Sequence, residues 1–484
     1  MTYLSSYVPE PNATQRSVKT SWAGLNRKQT QDTGELSSAQ NISVKDLPYL
    51  KSAEFAKHIW TIPDGNCEIV SIHDVGEGAY VIIYRWLSEP YTLYVKHFYG
   101  DGSAKTIGGF EVAEGDLKPS VAVFNVYKDV NTNIVTATFE RKILIYPYCY
   151  SYNPNLPTPK LETFNTSGNA VPKLKHVTVL NGRVFGVLDG KIFASTWNDY
   201  TNWELPASNT PTEDMPRMAW VSTTQSDIDA SGEFTGITVY NGQVIGFKRN
   251  FMHMIYNNKN PFRIVDIAKI GAISQSAICE VNQVLFFVAE DGVYAFSGGY
   301  PKRISDKLDI SVSDWEGAVL GGDDTTLYCY VPSQKETYTY DTVNGAWGCT
   351  VEDATMCATV NGECLFIRGD SIYKFGGNPN ASFEFETDVS FGGALVEKKI
   401  KRLRLQVSHK DHIDGDYIEV AILKSDGQWT AIKEFRPDED CSTVLSMLTR
   451  MTCDFGQKIR VEGKGNWVIK YLQIDYEAGG EKYV

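Results

Sequence analysis

Tight-turn dipeptides punctuate this sequence at a regular interval, and that interval leaves few folds open. Val177-Thr178-Val179-Leu180 meets Asn181-Gly182, then Arg183 to Leu188 meets Asp189-Gly190, then Lys191-Ile192-Phe193-Ala194 follows. Asn-Gly and Asp-Gly supply the positive φ that two-residue hairpin turns need, so this stretch predicts a three-stranded meander. The module returns at Ile237–Ile255, Ala277–Phe296, Leu327–Tyr340 and Met356–Phe375. Its turns at Asn241, Asn282, Asp324 and Asn361 recur about every 40 residues, the period of a four-stranded propeller blade. Looser copies run Ile69–His97 and Val121–Ile145. The reading is an all-β chain with a β-propeller of six or seven blades. A ring of sheets buries each face against a neighbour and leaves few open edges. A pair of β-sandwiches is the alternative.

The period ends near residue 377. Strand-like runs at Lys399–Ser408, Tyr417–Lys424, Thr430–Phe435, Gln457–Glu462 and Trp467–Tyr476 predict a C-terminal antiparallel β-sandwich, jelly-roll-like, over 378–484, with Gly376–Ala381 as linker. The propeller spans 61–377. Residues 1–60 are polar and irregular, an arm or a closing strand, and Val44–Ala56 is a candidate short helix.

Composition narrows the function classes. The net charge of −13 argues against binding nucleic acid through a broad basic face, though not against contact with DNA sliding past. Nine cysteines, an odd number with no C-x-x-C pair, lack zinc-site spacing and read as buried reduced thiols. Met1-Thr2-Tyr3-Leu4 does not open a signal peptide, and no apolar run reaches the roughly 20 residues that span a bilayer. The chain is expected to fold in a host cytoplasm.

Catalytic motifs are not found: no P-loop, no H-E-x-x-H, no G-x-S-x-G. Asp323-Asp324 falls in an expected turn, where Asp serves local hydrogen bonding. His409 and His412 are expected on an exposed turn. No catalytic residue and no cofactor is assigned. Asp227-Ile228-Asp229-Ala230-Ser231-Gly232 matches the first half of a calcium loop, so Asp227, Asp229 and Ser231 are the metal candidates, although Thr238 stands where the bidentate Glu belongs. The run Lys398 to Val407 alternates Leu403, Leu405 and Val407 with Arg402, Arg404 and Gln406. Lys399, Arg402 and Arg404 are therefore candidate contacts to an acidic neighbouring subunit or passing DNA, against the plainer reading of a solvated strand face.

Several segments, in order, carry a resemblance. They are Gly24-Leu25-Asn26, Gly34-Glu35-Leu36, Asn41 and Leu47-Pro48-Tyr49-Leu50 near the start, and Gly190 to Ser195 followed by Asn202-Trp203. Asp291 to Gly299 is followed by Lys302-Arg303-Ile304-Ser305-Asp306, and Gln473 to Gly480 closes the series. Together they resemble the tail-nozzle and head-to-tail proteins of tailed bacteriophages, including packaged-DNA stabilisation proteins. The resemblance implies a non-enzymatic virion tail subunit in a homo-oligomeric ring, a hexamer, around the DNA exit channel. It also implies contacts with portal or adaptor proteins and with tail spikes or fibres, and a role in DNA retention and ejection. The alternatives are a receptor- or glycan-binding tail propeller and a polysaccharide-degrading enzyme.

Overall fold

The computed structural model describes residues 14–28, 34–113, 115, 118–128, 138–165, 170–207, 213–222, 232–257, 259–378, 382–389, 398–424, 426–453 and 457–478. Seven four-stranded antiparallel units follow one another along the chain. Their first strands are Cys67–Gly76, Ser120–Lys128, His176–Leu180, Phe234–Tyr240, Ile278–Val281, Val319–Gly322 and Met356–Val360. Each of these strands lies against the first strand of the next unit, and Met356–Val360 lies against Cys67–Gly76. The seventh unit takes its outer strand, Phe55–Thr61, from before the first.

Hairpin chemistry explains the local geometry. Asn181-Gly182 adopts φ of 50° and 71°, and Asn241-Gly242 adopts 48° and 70°. Both central residues are left-handed, as the two-residue turn that matches strand twist requires. Asn282-Gln283 does the same at 49° and 61° without glycine. The turn at Asp323 works differently: its Oδ1 accepts from the Thr325 and Thr326 amides at 3.0 and 2.7 Å.

Apolar side chains fill the gap between every pair of neighbouring units. Val95 and Ile143 share a cluster between the first and second, Leu144 and Val184 share one between the second and third, and Ile192 and Val244 share the next. Phe247 with Phe287, Phe286 with Leu327, and Tyr328 with Phe366 continue the series. Ile72 and Ile82 pack with Ile367 and Ile372, which joins the seventh unit to the first. A single four-stranded sheet could not bury both faces, so each depends on its neighbours.

Gly24–Leu25 and Glu35–Leu36 pair in parallel, and the other remaining strands form two facing sheets. One carries Leu50–Ser52, Asn466–Ala478, Lys398–Lys410 and Cys441–Cys453, with Thr14–Lys19 also on Asn466–Ala478. The other runs Trp429–Phe435, Tyr417–Leu423, Gln457–Lys464, Ser382–Val389 and Ser38–Gln40. Leu403, Leu405 and Val407 point inward with Ile418, Val420 and Val461. Ser382–Val389 and Cys441–Cys453 add two strands to the five expected. Gly376 to Asn378 belong to the strand Ser371–Asn378, so the expected Gly376–Ala381 linker is strand in that part, and its residues 379–381 lie outside the described residues.

The expected helix over Val44–Ala56 is replaced by a turn and the strands Leu50–Ser52 and Phe55–Thr61. Pro48 cannot donate within a helix, and both strands find partners far along the chain. No α-helix occurs among the described residues, and none there is long and apolar enough to cross a membrane. The described cysteines are free thiols, with Cys67, Cys149, Cys329, Cys349 and Cys364 buried.

Candidate functional site

Among its described residues, the N-terminal segment holds a strand that completes the seventh unit, Phe55–Thr61, and several short strands before it. It pairs in turn with Asn466–Ala478, with Ser382–Val389, with Ala346–Thr350 of the sixth unit, and with Ser371–Asn378 of the seventh. Through the short strands Ile42–Ser43 and Leu50–Ser52, the sixth unit and one sandwich sheet become a single 10-stranded sheet. The pairing is reinforced by buried polar contacts. Asn41, at φ 54°, donates from Nδ2 to the Ser382 carbonyl at 2.7 Å. Its Oδ1 accepts from the Thr350 hydroxyl at 3.1 Å and the Val351 amide at 3.2 Å. Trp22 sits edge-on to Phe385, and Trp347 donates to the Ile304 carbonyl at 2.8 Å. Gly24, at φ +86°, is pressed so closely that a Cβ would lie 2.7 Å from the Trp347 carbonyl oxygen.

Charges follow the same path. Glu35, almost wholly buried, pairs with Lys307 at 2.7 Å and accepts from Asn26 at 2.6 Å. Arg27 reaches Glu336 at 2.8 Å and the Tyr338 hydroxyl at 2.6 Å. Lys19 donates to the Thr387 hydroxyl at 2.6 Å and the Asp388 carbonyl at 2.5 Å. Burial pulls the Lys19 ammonium down to about 8, and the nearby Asp388 charge opposes that shift.

Beside this segment lies a cleft of about 400 Å³ between the sixth and seventh units, lined by Lys45, Lys51, Glu54, Asp323, Asp341 and Lys374 among others. Burial would raise the Asp323 carboxyl. The hydrogen bond from Lys45 at 2.7 Å and the Thr325 and Thr326 amides outweigh it and hold the group below its usual range. Asp341 accepts from the Asn344 amide at 3.1 Å. Both carboxylates hold turns in place, which is the role Asp is given in such positions.

The basic strand lies on the sandwich's outer face. Lys399 is exposed and Arg402 half-buried. Arg404 is tied within the chain: it meets Asp475 at 2.7 Å, and Asp475 also meets Arg16 at 2.9 Å. Burial would raise the Asp475 carboxyl, but hydrogen bonds from Arg16, Gln473 and Arg404 hold it low. Opposite Arg402 in the ladder stands Leu448, 75% exposed, and opposite Gln406 stands Val444, also exposed. Val18 is exposed on the strand that carries Arg16. The face therefore mixes cations with uncovered apolar side chains, a composition suited to a protein contact.

Asp227, Asp229 and Ser231 lie outside the described residues. His409, expected on an exposed turn, is instead buried: it ends a strand whose inward register places it under Trp467, at 4.5 Å between ring centroids. His409, His412 and Asp416 are brought together, each offering a ligand atom within 4.8 Å of the others. The Arg16–Asp475 contact had no local signal, because its partners stand 459 residues apart.

No family model matches the chain, and no curated protein matches it. Among solved structures, a protein titled glycoside hydrolase is similar at TM-score 0.25 and 10% identity, covering 87% of this chain and 99% of that one. A mutant GH43 protein, BlXynB from Bacillus licheniformis, is similar at TM-score 0.20 and 7% identity, again over 87% of this chain and 99% of that one. A Cry1Da tryptic core variant from Bacillus thuringiensis follows at 0.17 and 10% identity, covering 72% and 57%. At these TM-scores the likenesses carry no argument about activity.

Proposed function

We propose that the seven units are the blades of a β-propeller closed by Phe55–Thr61, and that the chain is a structural subunit of a phage tail nozzle or hub. In this reading it forms a ring around the DNA exit channel, against portal or adaptor proteins above and spikes or fibres around. The supporting observation is the way residues 14–28 and 34–61 bind sandwich, sixth unit and seventh unit into one piece. A subunit that must hold against pressure gains from such long-range stapling, because neither half can rotate freely on the other. Chemistry is not part of the role. The mixed face bearing Arg402, Leu448 and Val444 is the ring contact, and passing DNA meets an acidic protein that does not hold it.

Immunogold electron microscopy of purified particles, with antibody against this chain, tests the reading. Label on the tail axis below the capsid is the expected result. Label at fibre tips would move the function to receptor binding. Absence from particles, with the antibody shown to reach denatured tails, would overturn the structural role and bring polysaccharide-degradation assays forward. Within the ring, Leu448→Asp is expected to lower the oligomer fraction seen by native mass spectrometry while the monomer's melting stays unchanged.

A further inference from the structure

The turn that ends the strand Lys398–Lys410 has the sequence His409-Lys410-Asp411-His412-Ile413-Asp414-Gly415-Asp416. It folds so that His409, His412 and Asp416 converge. The side chains of His409 and Asp416 are 0% and 1% exposed, and that of His412 is 21% exposed. His409 Nε2 and Asp416 Oδ2 are 3.0 Å apart. That separation is a hydrogen-bond distance, and the contact leaves the other polar atom of each group unpaired.

Two observations favour an ion. First, His409 Nδ1, His412 Nδ1 and Asp416 Oδ1 are all buried without a hydrogen-bond partner. Buried polar atoms are nearly always satisfied, and three orphans in one cluster need an explanation. Second, the carboxylate is packed in place. Gly465, at φ +106°, would put a Cβ 2.6 Å from Asp416 Cγ, so no larger residue fits there. The Ile413 amide donates to Asp416 Oδ2 at 3.1 Å, and the Trp467 ring covers His409. A carboxylate so deeply buried calls for a compensating cation.

We infer that His409, His412 and Asp416 form a binding site for a divalent transition cation, Zn²⁺ or its chemical equivalents. Two imidazoles and one carboxylate suit zinc, whereas calcium and magnesium take oxygen ligands. Three protein ligands leave a position for water, and the part-exposed His412 marks the way in. The His412 amide donates to Asp440 Oδ1 at 2.9 Å, and Asn466 donates to Asp411 Oδ2 at 2.9 Å. The ion would therefore clamp three turns at one end of the sandwich.

The test uses the full untagged chain, stripped with chelator and titrated with ZnCl₂ by calorimetry, with Co²⁺ absorption as a report on geometry. One saturable site per chain is expected, with a Co²⁺ spectrum of low coordination number and a rise in melting temperature on binding. Asp416→Asn should weaken Zn²⁺ binding by at least about tenfold. If that variant fails to fold, His412→Ala decides, since its side chain is partly exposed and its loss should leave the metal-free melt unchanged. His58→Ala, on the outer strand of the seventh unit, should bind as the unaltered chain does. No saturable binding, or binding unchanged in His412→Ala, would overturn the site and leave a plain imidazole–carboxylate pair.

Discussion

Asn241 and Asn41 hold the same backbone conformation for different reasons. Asn241, at φ 48°, sits in a hairpin whose strands Phe234–Tyr240 and Gln243–Lys248 flank it directly. Asn41, at φ 54°, reaches Ser382, Thr350 and Val351, more than 300 residues away. The first belongs to a region built from neighbours in sequence, the second to a junction built from remote partners. Local modules carry their own instructions. The junction between sixth unit, N-terminal segment and sandwich forms only when several distant segments arrive together.

Acidification should separate the two regions most. Burial pulls His73 and His97 down to about 4, helped at His97 by the Arg141 charge, and does the same to His176, helped by Lys175 and His73. All three lie in the first three units. Each folded value is below the ordinary 6.5, so between 6.5 and about 4 the unfolded chain binds protons that the folded sheets refuse. The stability present above pH 6.5 therefore drains as pH falls toward 4. Hydrogen exchange across this window should show the first three units opening before the sandwich. Uniform loss across both regions would erase the contrast.

Trp347→Ala comes next. The ring is buried between Tyr340 and the N-terminal segment, and its loss should cost about 3–5 kcal/mol in denaturant melts. A much smaller cost would mean that the junction is not cooperative with the sixth unit.

The paired glycine substitutions sharpen the comparison directly. Glycine accepts positive φ at either position. Asn41→Gly strands buried partners in the sandwich and the sixth unit and should cost roughly 1–3 kcal/mol. Asn241→Gly keeps its turn and should stay within about 0.5 kcal/mol. Equal costs would show that the two asparagines serve the backbone alone.

Sequence by itself determined the modules. Hairpin turns at Asn181, Asn241 and Asn361, with alternating apolar residues on either side, need only chain neighbours to be read, since strand period and turn chemistry are local properties. The alternation of Leu403, Leu405 and Val407 with Arg402 and Arg404 was legible for the same reason. Ser382–Val389 was harder, because Glu384, Glu386 and Asp388 alternate with its few apolar residues and blur an apolar run. Cys441–Cys453 mixes Ser and Thr with Val444 and Leu448, which face outward. Only the tertiary structure decided where residues 14–28 and 34–61 go, that Arg404 is committed to Asp475, and that His409 is buried beside His412 and Asp416. Those outcomes depend on which strand edges remain unpaired once every local hairpin has formed, and no short stretch of sequence carries that information.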